Sequence, residues 1–347
     1  MKARVWGAVA GVLWAGVVSA QDIRVVADIA PVHSIVAGVM KGVGTPELIV
    51  RPEESPHDFD MRPSTARALQ DATVVFWMGE GIAAKLEKPL ETIAGQATVV
   101  NLAEVEGAVR FDFREVAVFE ADEHHDDHGD HDEHDDHHDH EDGHDDHEAH
   151  GDDHDDHHDE EGHAEGHDDH DDHHHDHDGL DPHMWLDPEN AKVWAAHIAS
   201  ALSAADPSNA ATYKANADQM IQDIEAAAQE IEATLAPVAD HGFVVFHDAY
   251  QYFEKRFGLN AAGALLESDA SSPSAARLAE IQDIIEDKNI TCVFVEPQFN
   301  PRVVQAVAAK AKTGEMDPLG VAYTPGPDLY LNVLRSLSAN MAVCLRD

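Results

Sequence analysis

The sequence predicts an α/β fold of two lobes, each a parallel sheet covered by helices, joined by one long rigid α-helix. Three observations predict it. Short β-rich runs alternate with helix-spaced runs at both ends of the chain, the pattern of parallel strands linked by crossover helices. A helix-like run of about 29 residues after Asp206 carries one apolar stripe at three- and four-residue spacing. The 347 residues exceed what one small core organises and suit two lobes.

In the first lobe, "IRVVAD" (Ile23 to Asp28) reads as a strand, and "HSIVAGVMKGVG" follows with helical spacing and a Gly stop. "PELIV" is a second strand, "RPSTARALQDA" a short helix with Pro63 near its start, and "TVVFWMG" a third strand. "IAAKLEKPLETIA" is helical and "ATVVNL" is a fourth strand. Further on, "LDPENAKVWAAHIASALSAADP" reads as a helix from Pro188. Asp206 and Pro207 then open the long helix, Pro taking the first helical position. Met220, Ile221, Ile224, Ala228, Ile231 and Leu235 form its stripe. About 29 residues make a rod of roughly 43 Å, long enough to join two lobes.

The alternation then resumes. "GFVVFHD" is a strand, "AYQYFEKRFG" a helix ended by Gly258, "AAGALL" a strand and "SAARLAEIQDIIEDKN" a helix. "ITCVFVE" is a strand, "PRVVQAVAAKAKT" a helix, "GEMDPLG" a short strand and turn, and "PDLYLNVLRSLSANMAVCL" the last helix. The expected division is a leader over 1–20, a first lobe over 21–205, a linking helix over 206–236 and a second lobe over 237–347.

The leader rests on Lys2 and Arg4, an apolar run, and Val18-Ser19-Ala20 as a small-residue cleavage site. A membrane anchor is the alternative, but the run is shorter than the ~20 residues a span needs. The mature chain is expected to be exported, in a periplasmic setting. Two cysteines, Cys292 and Cys344, suggest one disulfide in an oxidising compartment, two unpaired thiols being the other reading.

The net charge is -46, unevenly spread. Residues 121–178 hold 29 Asp and Glu, no Lys or Arg, and 21 of the 27 His; the rest of the chain carries -17. Such an acidic body argues against nucleic-acid binding and against a polybasic hold on anionic lipid. The tract repeats "HDDH" six times, pairing His125 with His128, His134 with His137, His144 with His147, His154 with His157, His167 with His170, and His170 with His173. Imidazole is the commonest ligand for first-row metals, and carboxylates assist it. The tract is almost free of apolar residues, so it cannot build a core and is expected to be a disordered loop within the first lobe. A flexible polymer presets no geometry, so several weak sites are expected there, not one selective site. A solvated anionic loop without metal is the bland alternative.

Six histidines remain outside it: His33, His57, His183, His197, His241 and His247. His33, His197 and His241 read as ordinary. His57 lies just beyond the strand "PELIV", His247 at the carboxyl end of "FVVF", and His183 just before a helix. Ligands of parallel α/β sheets bind beyond the carboxyl ends of strands, so two of the three lie where a site is expected, and the third can join across a cleft. Their separations form no local metal motif, and three structural histidines are the competing reading.

Here "SPHDFDMRPS", "DPHMWLDPENA", "FHDAYQYFEKRFGL", "VFVEPQFN" and "EMDPLG" together resemble the cluster A-I metal-binding proteins of ABC importers. The likeness is greatest to the periplasmic high-affinity zinc-uptake (ZnuA-type) proteins, and it runs from about Ile23 to Cys344. The resemblance implies two lobes, one metal between them, and an acidic His tract interrupting the first lobe. By motif it makes His57, His183 and His247 zinc ligands and puts Asp317 where manganese-binding relatives place a carboxylate. Asp317 or water then completes the shell. Where some zinc members have Glu before the first His, this chain has Pro56. Three imidazoles favour zinc over manganese. The resemblance also implies a Cys292–Cys344 pair.

Asp58 and Asp248 each follow a candidate ligand and read either as acceptors for the far ring N–H or as turn and helix caps. Glu296, at a strand end, either faces the cleft or is structural. The expected function is capture of Zn2+ and its delivery to the membrane permease and ATPase subunits of an importer, by a monomer without enzymatic activity. The tract serves as collector or sensor. The competing functions are a zinc-dependent hydrolase using a three-His site, with Asp317 or Glu296 as base, and a zinc buffer or sensor working through the tract. Outside the tract, whose composition builds no helix, no HExxH motif supports the hydrolase.

Overall fold

A computed structural model describes residues 23–114, 119, 179–266, 274–299, 308 and 311–346. The expected leader, the tract histidines and most of the expected helix over 301–313 lie outside the described residues.

The first sheet holds β1 (Val25–Ala27), β2 (Glu47–Leu48), β3 (Val74–Trp77) and β4 (Thr98–Asn101). The second holds β5 (Phe243–His247), β6 (Ala261–Leu266), β7 (Cys292–Val295) and β8 (Lys312–Glu315). Their orders are β2-β1-β3-β4 and β6-β5-β7-β8, and every pairing is parallel. The two lobes therefore repeat one topology. In each, the first strand of the lobe is followed by one neighbour on one side and the next on the other. The crevice between β1 and β3, or between β5 and β7, is thus a switch point of the kind that receives ligands.

The helices are α1 (Ala30–Val39), α2 (Pro63–Asp71), α3 (Glu80–Thr92), α4 (Pro188–Ala205), α5 (Ala210–Leu235), α6 (Gln251–Phe257), α7 (Ala275–Asp287) and α8 (Leu329–Leu345). Helix α5 is the long joining helix, 26 residues and thus about 39 Å. It buries Tyr213, Ala217, Met220, Ile224, Ala227, Ile231 and Leu235 and packs on α4, α8 and α1. The stripe passes through Ala227, not Ala228.

Several boundaries moved for local reasons. The chain does not enter α5 at Pro207: residues Pro207–Asn209 form a 3-10 turn. The Asp206 carboxylate accepts from Ser208 Oγ (2.5 Å), Asn209 Nδ2 (2.6 Å) and Tyr213 Oη (2.9 Å). Engaged with those side chains, it does not cap the first helical amides. "PELIV" pairs only over Glu47–Leu48. Lys312 and Thr313, expected in a helix, belong to β8, where they pair with Cys292 and Val293. Helix α6 ends on Gly258 at φ 63°, a conformation that only residues without a Cβ adopt at low cost. Cys292 of β7 and Cys344 of α8 are joined as a disulfide, with Cα atoms 5.9 Å apart, so the last helix is tied to the second sheet. No helix among the described residues is long and apolar enough to cross a membrane.

Candidate metal centre

The three quiet histidines meet. The ring centroids of His57 and His183 are 5.6 Å apart, and those of His183 and His247 are 5.3 Å apart. They line a pocket of about 260 Å³, counting its open mouth. Pro56, His57 and Ile82 come to it from the first lobe, His183 and Trp185 from the segment before α4, and the second lobe supplies the remaining wall.

Each ring is placed by its own segment. His57 sits in the turns after β2, with its backbone N–H on Ser55 Oγ (3.2 Å). His183 is 2% exposed. Its backbone N–H and its Nδ1 both meet Asp181 Oδ1, at 3.0 and 2.8 Å. The segment is fastened on several sides. Trp185 Nε1 donates to the Pro318 carbonyl (2.9 Å), Tyr330 Oη to the Trp185 carbonyl (3.0 Å), and Tyr252 Oη to the Asp181 carbonyl (3.0 Å). Asp187 caps α4 through the Glu189 N–H (2.9 Å) and accepts two bonds from Arg256, both 2.7 Å. His247 is the last residue of β5, and its Nδ1 lies 2.6 Å from Oε1 of Glu296, just beyond the neighbouring strand β7.

The electrostatics follow from burial. A carboxylate beside Nδ1 takes that N–H, which puts the basic lone pair of the ring on Nε2. Asp181 is fully buried, which pushes its carboxyl up to about 7, although the His183 N–H and the Arg114 charge pull it back. Tyr250 is pushed well above the usual phenol range by burial, and then by the charge of Glu296.

Two expected helpers are elsewhere. Asp58 is exposed and pairs with Lys85 Nζ (2.7 Å), so it does not orient His57. Asp248 turns away from His247 and takes Arg114 Nε at 2.9 and 3.0 Å, with a further bond to Nη2. Both acids lie in a turn or bend, where side-chain direction is set by the partner each one finds, Lys85 or Arg114, which is why adjacency misled. Glu296 does meet a ring. The residue that sequence reading missed is Asp181. Its signal was spacing: two residues apart in a non-helical stretch, Asp181 and His183 project to one side. Asp317 is buried, but its carboxylate serves backbone amides, accepting from Leu319 (3.3 Å), Gly320 (2.8 Å) and Ala322 (3.2 Å). It is not among the residues lining the pocket. Of the other histidines, His33 Nε2 holds the Pro46 carbonyl (3.1 Å) and His197 is exposed on α4.

The spacing of the rings suits a tetrahedral ion closely. Two imidazoles whose nitrogens sit about 2 Å from one ion have centroids about 5 Å apart. The measured 5.3 and 5.6 Å are a few tenths wider. Among the described residues no three His, Cys, Asp or Glu donors already stand as a finished coordination shell, so closing on an ion requires small ring movements.

Fold and pocket together define a two-lobed α/β binding protein whose histidines converge between the lobes. The family profile described as zinc-uptake complex component A, periplasmic (ZnuA), matches residues 25–344, and the chain belongs to that family. It is 46% identical over 323 residues to the high-affinity zinc uptake system protein ZnuA of Brucella abortus strain 2308, covering 92% of this chain and 91% of that protein. It is 41% identical over 325 residues to the protein of the same name from Paracoccus denitrificans strain Pd 1222, covering 93% and 91%. The fold is similar to a crystal structure of ZnuA, with a TM-score of 0.68 at 20% identity, covering 93% of this chain and 99% of that one.

Proposed function

We propose that this chain captures zinc between its lobes on His57, His183 and His247 and hands it to the membrane permease of an ABC-type zinc importer driven by ATPase subunits. The observation that carries the reading is the convergence of the three rings at 5.3 and 5.6 Å, with two of them backed by buried carboxylates. Relatives at 46% and 41% identity carry the name of a zinc uptake protein, and the family description places its members in the periplasm. Nitrogen donors suit zinc, and manganese prefers oxygen. The carboxylates hold the rings ready, so less ordering is left for the ion to impose. Binding needs neutral imidazoles, which makes protonation a route to release.

In this reading residues 1–20 are a cleaved export signal, and residues 121–178 are an auxiliary zinc collector or sensor. The chain works as a monomer and does no covalent chemistry. Asp317 serves the turn that follows it, not the ion.

The test is zinc titration calorimetry on the full chain and on a chain lacking 121–178, with manganese as competitor. One tight zinc survives the deletion, and His57→Ala, His183→Ala or His247→Ala weakens it strongly. Loss of all tight zinc on deletion, with no effect of the point changes, would favour the buffer reading. Steady hydrolysis of esters or peptides by the zinc-loaded chain would favour the hydrolase.

A further inference from the structure

The pocket wall contains one more polar side chain whose role the three histidines do not explain. Gln298 lies two residues beyond Glu296, in the loop after β7, and lines the same pocket as the three rings. Both its amide oxygen and its amide nitrogen are buried, and neither has a hydrogen-bond partner among the described residues. A buried amide without a partner costs about 1–3 kcal/mol, and folded chains keep few such groups. This one borders the pocket that the three rings line.

The carboxylates account for themselves differently. Asp317 spends both oxygens on the amides of Leu319, Gly320 and Ala322. Asp58 is held outside by Lys85 and Asp248 by Arg114. Glu296 Oε1 is engaged with His247 Nδ1. On the three-histidine reading, the imidazoles supply three positions of a tetrahedral shell and leave the fourth open, and the lining of the pocket also holds the carboxamide of Gln298. A neutral amide is a poor ligand for zinc, but its oxygen is a good acceptor for the O–H of water bound to the ion, whose proton is made acidic by the metal.

We propose that Gln298 is the positioning residue for the fourth ligand: its amide holds a metal-bound water, so the ion carries three nitrogens from the chain and one exchangeable oxygen. The inference rests on the three-histidine reading above. It also gives the ion an exit, because a water ligand can be replaced by an incoming donor without breaking a bond from the chain.

The experiment compares the wild-type chain with Gln298→Leu and Gln298→Ala. Zinc affinity is measured by chelator competition, the visible spectrum of the cobalt(II)-loaded chain reports the coordination sphere, and Tm is measured without metal. Both variants are expected to bind one ion, to lose roughly three- to tenfold in zinc affinity, the worth of one hydrogen bond, and to shift the cobalt bands. Metal-free Tm should be unchanged or higher in Gln298→Leu, since an unpartnered buried amide has been removed. A merely structural glutamine predicts the reverse: a lower metal-free Tm with zinc affinity and cobalt bands unchanged. Unchanged affinity and an unchanged spectrum overturn the proposal whatever the Tm. His57→Ala, His183→Ala and His247→Ala run alongside. If they too leave zinc affinity intact, the three-histidine reading has failed; if they abolish it while the Gln298 variants do not weaken it, only the role of Gln298 has.

Discussion

Nδ1 of His247 lies 2.6 Å from Oε1 of Glu296, across the two neighbouring strands at the switch point of the second sheet. The first sheet has a parallel feature: Asp28, just beyond β1, accepts the N–H of Met78, just beyond β3, at 2.7 Å. In both lobes a buried carboxylate spans the crevice. In the second lobe it meets an imidazole, and in the first it meets only backbone.

Glu296→Ala is expected to weaken zinc binding by about 10–100-fold, the usual cost of losing a carboxylate behind a metal-bound histidine. Glu296→Gln should weaken it less, because an amide oxygen can still accept the Nδ1–H. Chelator competition measures both; equal losses in the two variants would argue that charge, not ring orientation, is what Glu296 supplies.

Asp181→Ala is expected to lower affinity by a similar factor through His183, and also to lower stability. Asp181 additionally holds the His183 backbone N–H and, at 3.1 Å, the side chain of Gln251. Asp58→Ala should leave zinc affinity within about twofold, since an exposed ion pair is worth little. A large loss in Asp58→Ala would contradict the placement of that side chain.

Arg114→Ala is expected to destabilise the fold by about 3–5 kcal/mol, because it strands Asp248 and Glu254 as buried charges. Arg114 bonds both carboxylates, Glu254 at 2.8 and 3.1 Å, and it ties the segment before 115 to α6. Urea unfolding measures this, and a change under 1 kcal/mol would sink it.

Asp28 predicts a pH dependence of stability. Burial raises its carboxyl from 3.8 to about 7, against the pull of the Met78 and Ile29 amides. Between those values the folded chain binds more protons than the unfolded one, so this group's contribution to stability falls as pH rises through about 4 to 7 and levels off above. Urea midpoints of the wild-type chain should therefore drop more between pH 5 and pH 8 than those of Asp28→Asn. Parallel pH profiles would remove the effect.

Replacing Cys292 and Cys344 together by Ala should cost about 2–4 kcal/mol, the chain-entropy worth of closing a loop of this length, given their separation of 52 residues. The bond ties α8 to β7 and does not touch the pocket, so calorimetry should still find one tight zinc.

The amino-acid sequence by itself determined the order of the strands and of the described helices, the joining helix and the places of His57 and His247. Those depend on local periodicity and on strand ends, which are written along the chain. Tertiary structure alone decided which carboxylate serves which ring. Asp58 and Asp248 stand next to histidines in sequence, yet Asp58 pairs with Lys85 at the surface and Asp248 with Arg114 in the interior. Glu296 is 49 residues from His247, and only the pairing of β5 with β7 brings it into reach. That Asp317 faces backbone amides, and that an unpartnered Gln298 borders the pocket, likewise depends on turn geometry and on contacts between distant segments. Side-chain direction beyond an element's end is set by those contacts, and no local pattern in the chain encodes them.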